Sequence, residues 1–221
     1  MSSKYPRTPH VPFSPGGTKD DRRIASIESF LNVDIVVTEK MDGSNVCVER
    51  DACYARSHVS APSHPSFDAF KALHARVRHA ILPGYQVFGE WLYARHSIDY
   101  DRLPGFFLVF GVRDVQAGLW CAWNEVTDWA DRLGVPTVPV LLRGQVASAS
   151  AFQRLVDGLA TAPSPYGSAR EGVVVRLADR FPDQAFEASV SKWVRSQHVQ
   201  TDDHWKTKAI VKNRVKKSDS P

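Results

Sequence analysis

The sequence predicts an α+β fold for this 221-residue chain, in one main domain. Strand-like runs of β-branched and aromatic residues are interleaved unevenly with runs of helical periodicity, which argues against a regular doubly wound sheet. Hydrophobic residues make up 43% of the chain, enough at this length for one well-buried core. No internal repeat is present.

The elements follow in order. Residues 1–20 are rich in Pro, Gly, Ser and Thr and read as an irregular arm, disordered in isolation. Asp20 or Asp21 then caps a short helix through Ile24, Ile27 and Phe30. Within the arm, Ser14-Pro15-Gly16-Gly17-Thr18 has enough glycine to present backbone amides to a phosphate, although a flexible leader is the commoner explanation. Asp34-Ile35-Val36-Val37 and Val46-Cys47-Val48 flank Asp42-Gly43, a strong turn dipeptide, so the plain structural expectation is a β-hairpin. Phe67, Phe70, Val77 and Ile81 recur at helical spacing until Pro83-Gly84, with Lys71, Arg76 and Arg78 on a solvated face. Residues 85–88 and 106–110 are strand-like. Asn124 is expected to cap a helix carrying Val126, Trp129 and Leu133 that ends at Gly134. Phe152, Leu155, Val156 and Leu159 give the next helix its buried stripe, residues 163–167 form a loop, and strands run over 172–177 and 190–195.

Lys plus Arg outnumber Asp plus Glu by 28 to 24, a net charge of +4 that is too mild to argue for nucleic acid by itself. The distribution says more: basic residues gather at Arg7, Arg22 and Arg23, along the first long helix, and at Lys206, Lys208, Lys212, Arg214, Lys216 and Lys217. Cys47, Cys53 and Cys121 form no zinc spacing and leave one over, which fits a reducing compartment. No stretch approaches the roughly 18 consecutive apolar residues of a membrane span, and the N-terminus lacks an apolar signal core. A soluble, cytoplasmic protein with no membrane partner is expected.

The run Thr38-Glu39-Lys40-Met41-Asp42-Gly43-Ser44-Asn45 places a lysine at the mouth of a tight turn, directly after an apolar strand, with an acid two residues on. It reads as a covalent nucleotide-transfer site. A lysine nucleophile must be neutral when it attacks, and an ordinary amine with a pKa of about 10.4 is about a thousandfold depleted of that form at neutral pH. Glu39 and Asp42 deepen the deficit, so the site needs compensating positive charge from a metal ion or from cations such as Arg56 and Lys192.

Lys40-x-Asp42-Gly43 is followed in order by Arg56 in Tyr54-Ala55-Arg56-Ser57, by Phe88-Gly89-Glu90-Trp91, by Phe107-Leu108-Val109-Phe110, by Glu171-Gly172-Val173-Val174-Val175-Arg176 and by Ser191-Lys192-Trp193-Val194-Arg195. This ordered set resembles the motifs of the lysine-dependent nucleotidyltransferases, and most of all those of the ATP-dependent RNA ligases. The stretch Gly89-Glu90-Trp91-Leu92-Tyr93-Ala94-Arg95-His96-Ser97-Ile98 is similar to a segment typical of that ligase family. The resemblance implies a nucleotidyltransferase domain over 21–205, made of antiparallel sheets flanked by helices, then a basic tail over 206–221. It also implies no oligonucleotide-binding barrel domain, because the remnant beyond Arg195 is too short to form five strands.

The resemblance further implies a role for each matched residue. Lys40 would carry the adenylate, and Lys192 would contact the α-phosphate and stabilise its developing charge. Glu39 would read the adenine amino group, Arg56 and Glu90 would hold the ribose, and Phe110 would stack on the base. Glu171 would bind or orient the metal. Each has a plain structural counterpart: Phe110 as core, Glu90 and Glu171 as ordinary strand-end acids, Lys192 as a solvated side chain. Alternation sharpens the last case, since Lys192 shares its strand face with Val190 and Val194. Two departures stand out. The family usually shows two lysines flanking one residue where this chain has Lys192 with valines, so Arg176 or Arg195 are candidates for the second charge. Gly111 stands where related ligases often put aspartate, which keeps Phe107 as an alternative to Phe110. His96, His198 and His204-Trp205 lie in family-like segments but are required by no chemical step.

The expected function is an ATP-dependent RNA ligase that uses ATP and Mg2+, with Mn2+ as the alternative metal. It would join RNA 5′-phosphate and 3′-hydroxyl ends through a lysyl-adenylate, alongside an enzyme that heals the ends. The alternatives are an RNA-end adenylyl- or guanylyltransferase that does not seal, and a catalytically silent RNA-binding module of the same fold.

Overall fold

The computed structural model describes residues 4–17, 21–57, 60–196 and 210–216. Thr18, Asp20, His198, His204, Trp205, Lys206, Lys208 and Lys217, all singled out above, lie outside the described residues. Two antiparallel sheets face each other. The first, in the order β10-β8-β1-β7, combines β1 (Ile35–Lys40), β7 (Val140–Gly144), β8 (Gly172–Leu177) and β10 (Val190–Val194). The second, in the order β3-β2-β4-β5-β6-β9, combines β2 (Ser44–Val48), β3 (Cys53–Ala55), β4 (Tyr85–Trp91), β5 (Phe107–Asp114), β6 (Leu119–Trp120) and β9 (Phe181–Pro182). The predicted α+β class with antiparallel sheets and flanking helices is what the chain adopts. Among the described residues, no helix is long and apolar enough to cross a membrane.

Period-two patterning decides which face each sheet buries. Ile35, Val37, Val173, Val175 and Trp193 face outward from the first sheet, onto Phe152, Val156 and Ala160 of α3 (Ala149–Thr161). Ser148 starts that helix by accepting the Ala151 N–H at 3.3 Å. Val46, Val87, Trp91, Phe107 and Val109 face outward from the second sheet, onto α1 (Asp68–Val77) and α2 (Trp123–Leu133). Between the sheets, Cys47, Phe88, Trp120 and Phe181 meet Val190, Val174 and Phe186 of α4 (Phe186–Ser189).

Several local expectations are revised. Asp42-Gly43 does not close a hairpin: β1 and β2 belong to different sheets, and residues 41–43 carry the chain across from one to the other. Glycine is required at position 43 by close approach, since a Cβ there would lie 2.7 Å from both the Trp91 carbonyl oxygen and Leu92 Cδ2. The expected helix through Ile24 reduces to a single 3-10 turn, Glu28–Phe30, and Asp21 faces His10 and Lys192 instead of capping it. In α2 the cap is Ala122, whose N–H is accepted by the Glu125 carboxylate at 2.9 Å, and Asn124 is already inside the helix. Gly134 ends that helix in the left-handed region, φ 62°, as expected.

Both ends of the described chain are tied to the sheets by backbone pairing. Ser14 to Gly17 had the composition of a flexible leader, yet the segment runs beside β10. Pro9 O accepts from Lys192 N, Val11 N donates to Lys192 O, and Gly16 N donates to Val194 O, each at 2.9 Å. A Cβ at Gly16 would meet the Arg195 oxygen at 2.3 Å, which fixes glycine there. Residues 210–216 lie against 92–103, and buried Asn213 joins them by accepting the Tyr100 N–H at 3.0 Å and donating to Leu92 O at 2.8 Å.

Candidate active site

Lys40 ends β1 on the face toward the second sheet. Register places its companions: Lys40 pairs with Gly172, while Thr38, Val174 and Lys192 are aligned across β1, β8 and β10, so Lys40 and Lys192 share one face. Glu171, immediately before β8, is 2% exposed and holds Lys40 Nζ at 2.6 Å through Oε1. From the opposite sheet, Glu90 on β4 accepts the Gly43 N–H at 3.1 Å. Exposed Arg56 follows β3, and Phe110 on β5 keeps part of its ring accessible.

The charges in this cleft set one another. Burial pulls the Lys40 amine down, but Glu171, Glu90 and Asp42 together outweigh it and hold the amine above the usual lysine value. Burial first, then the Lys40 charge, depress Lys192, with Arg56 adding to the effect and Asp21 and Glu171 opposing it. Glu90 is pushed up to about 8 by burial; Lys40 opposes that shift, and the negative charges of Glu171 and Asp42 reinforce it. A strongly basic lysine thus sits among carboxylates that resist ionising together, and a cation entering the cleft would relieve both.

The turn after Lys40 is fixed by the family-like segment. Asp42 Oδ2 accepts from Ser97 N at 2.8 Å, Ser97 Oγ at 2.6 Å and Ile98 N at 2.9 Å, and Asp42 N donates to the Tyr100 hydroxyl at 3.0 Å. His96, 4.0 Å from Asp42 Oδ1, packs at the edge of this network. On the other flank His10 is fully buried, with Nδ1 2.8 Å from Ser14 Oγ and Nε2 3.7 Å from Asp21. Burial and the Lys192 charge lower His10 to about 4, so it is neutral and its contact with Asp21 is no ion pair. Asp21 also reaches Lys192 Nζ at 3.8 Å.

The structure brings Lys40, Lys192, Glu171 and Glu90 together, with Arg56 near enough to act on Lys192; Phe110 is linked to them through Tyr5, which touches its ring and feels the Glu90 charge. Glu39 does not join them. It alternates to the outer face of β1, is 1% exposed, and forms an ion pair with Arg170 Nε at 3.2 Å. Arg170 in turn donates to the carbonyls of Leu159 and Pro163. Arg176, a candidate for the second motif charge, is used structurally: it donates to Cys121 O at 2.6 Å and lies 5.3 Å from the Phe181 ring. Phe107 faces outward into the larger core, whereas Phe110 also packs against the cluster between the sheets. Sequence reasoning passed over Tyr5, His10 and Tyr100 and gave Asp21 only a helix-capping role; none of the four carries a motif, and they reach the site only through the fold.

A family model described as RNA ligase matches residues 33–194, most of the chain. The chain belongs to the RNA ligase family. Among solved structures, Naegleria gruberi RNA ligase with PPi is similar at a TM-score of 0.59 and 18% identity, covering 88% of this chain and 61% of that one. A variant of the same ligase with ATP and Mn gives a TM-score of 0.62 at 17% identity, over 88% of this chain and 56% of that one. An archaeal ATP-dependent RNA ligase gives 0.57 at 18% identity, over 87% and 48%. At such identities the likeness is one of fold, and this RNA ligase family member spans about half to three fifths of those chains. A search of curated proteins found no match.

Proposed function

We propose that the protein is an ATP-dependent RNA ligase that carries AMP on Lys40 and joins RNA 5′-phosphate and 3′-hydroxyl ends. The observation that carries this reading is the placement of Lys40, Glu171 and Lys192 on one face of one cleft, with Lys40 Nζ 2.6 Å from the Glu171 carboxylate. In the first step Lys40 Nζ attacks the α-phosphorus of ATP, an N–P bond forms, and pyrophosphate leaves with the cleaved oxygen. The amine proton has an acceptor in Glu171. Lys192, on the same face as Lys40, would stabilise charge growing on the α-phosphate. A 5′-phosphate oxygen of RNA then displaces the lysine, and a 3′-hydroxyl finally displaces AMP.

The donor set fits a magnesium or manganese ion. Among the described residues no three metal-ligating side chains gather into a site of their own. Glu171, with Glu90 beside it, would therefore hold the ion jointly with substrate phosphates, as hard cations are commonly held. When bound, the ion supplies charge neutralisation at the phosphates. Glu90 and Arg56 would hold the ribose and Phe110 would stack on the base, while Glu39, turned outward, supports the end of β1 through Arg170.

End-labelled RNA, both nicked duplex and single strands with 5′-phosphate and 3′-hydroxyl ends, incubated with ATP and Mg2+ tests the reading. Sealed product with a transient 5′-adenylylated RNA is expected, and no product with GTP. Adenylylated RNA that accumulates without sealing would point to a transferase that stops early. RNA binding with no transfer would point to a silent binding module.

A further inference from the structure

The N-terminal arm places Tyr5 between the sheets, against the ring assigned to the base. Its centroid lies 5.0 Å from Phe110 with the rings 77° apart, and 5.2 Å from each of Phe88, Trp120 and Phe186 at 60°, 83° and 85°. All four contacts have the edge-to-face geometry that aromatic pairs prefer. Phe88, Trp120 and Phe186 are at most 3% exposed, whereas Phe110 is only half-buried. Of the four rings that Tyr5 touches, Phe110 is the one not fully buried, and Tyr5 packs against it.

We propose that Tyr5 is a positioning residue for nucleotide binding, holding the Phe110 ring at the angle on which the base stacks. This role rests on the assignment of Phe110 to the base. The glycine after Phe110 has a physical counterpart here: a Cβ at Gly111 would already lie 3.7 Å from Tyr5 Cε2 and 3.6 Å from Trp120, so a longer side chain would compete with Tyr5 for the same space. The arm is anchored a few residues on, where Pro9 and Val11 exchange backbone hydrogen bonds with Lys192. One segment thus braces the base wall at Tyr5 and the phosphate-facing lysine at Lys192. Its attachment also argues against the arm being a plug that lifts away. Burial raises the Tyr5 hydroxyl to about 12, so the group stays neutral.

The test is the ATP dependence of covalent labelling of Lys40 in the full chain, for wild type, Tyr5→Leu and Tyr5→Phe, with thermal melting alongside. Leucine keeps apolar volume without a ring. The expected result for Tyr5→Leu is an ATP concentration at half-maximal rate raised about three- to tenfold, the scale of one aromatic contact, with the maximal rate within about twofold of wild type. Tyr5→Phe restores the wild-type constant. An unchanged constant in Tyr5→Leu would overturn the role, and so would a lower one, which would make the arm a plug. A loss of maximal rate that tracks a lost melting transition would also overturn it, leaving Tyr5 as packing only. If wild type itself takes no label, the transferase reading fails first and this role falls with it; label on wild type with an unaltered Tyr5→Leu constant removes the Tyr5 role alone.

Discussion

At the mouth of the cleft Lys40, Glu171, Glu90 and Lys192 bring largely buried ionisable groups together, whereas at its floor Tyr5, Phe88, Trp120 and Phe186 pack ring against ring. The mouth works through charge: burial first and then the neighbouring charges shift Lys40, Glu90 and Lys192, so removing one charge re-tunes the rest. The floor works through shape, since the cation beside it, Arg176, is spent on the Cys121 carbonyl and the Phe181 ring. Changes at the mouth should therefore alter rates and pH profiles, and changes at the floor should alter nucleotide affinity or folding.

The largest effect is expected at Glu171. Glu171→Gln should lower the maximal rate of Lys40 adenylylation by about a hundredfold or more, the scale of losing a preorganised charge in an active site. It should also move the Lys40 amine down. Glu171 is the strongest of the charges raising that amine, so without it burial gains ground and the neutral form appears at lower pH. Labelling of Lys40 in the free enzyme with an amine-reactive reagent, followed against pH, reads this directly. An unmoved or upward-moved profile would contradict the charge pattern at the mouth.

Lys192→Met comes next, with a maximal rate lower by about a hundredfold and a smaller change in ATP concentration dependence. At the floor, Phe110→Ala should raise the ATP concentration needed for half-maximal labelling by about three- to tenfold, with little change in the maximal rate. An equal loss in both parameters would place Phe110 in the chemistry and blur the division between mouth and floor. Arg176→Met should leave the Cys121 carbonyl short of its buried donor and destabilise the fold by about 1–3 kcal/mol, measured by urea unfolding.

The same division governs what was legible in the sequence. Mouth residues lie on or beside strands within short ordered motifs, so Lys40, Glu90, Glu171 and Lys192 were visible as a set, and strand alternation alone put Lys192 on a definite face. The same rule of alternation, applied to adjacent positions of β1, turns Glu39 away from Lys40; a motif read as a string does not display that. Asp42-Gly43 carried the signal of a hairpin because the dipeptide reports a local bend and not which sheet the next strand joins. Tyr5 and Asn213 were illegible for a different reason. Each acts across a long sequence separation, and a Pro-rich arm or a basic tail offers no periodicity from which its docking could be read.

The most direct test of the account is peptide mapping of the AMP adduct after incubation with ATP and Mg2+, in wild type, Lys40→Ala and Lys192→Met. The account predicts a single adduct on the peptide that contains Lys40, absent from Lys40→Ala and present at reduced rate in Lys192→Met. An adduct on Lys192, or one that persists in Lys40→Ala, would contradict it.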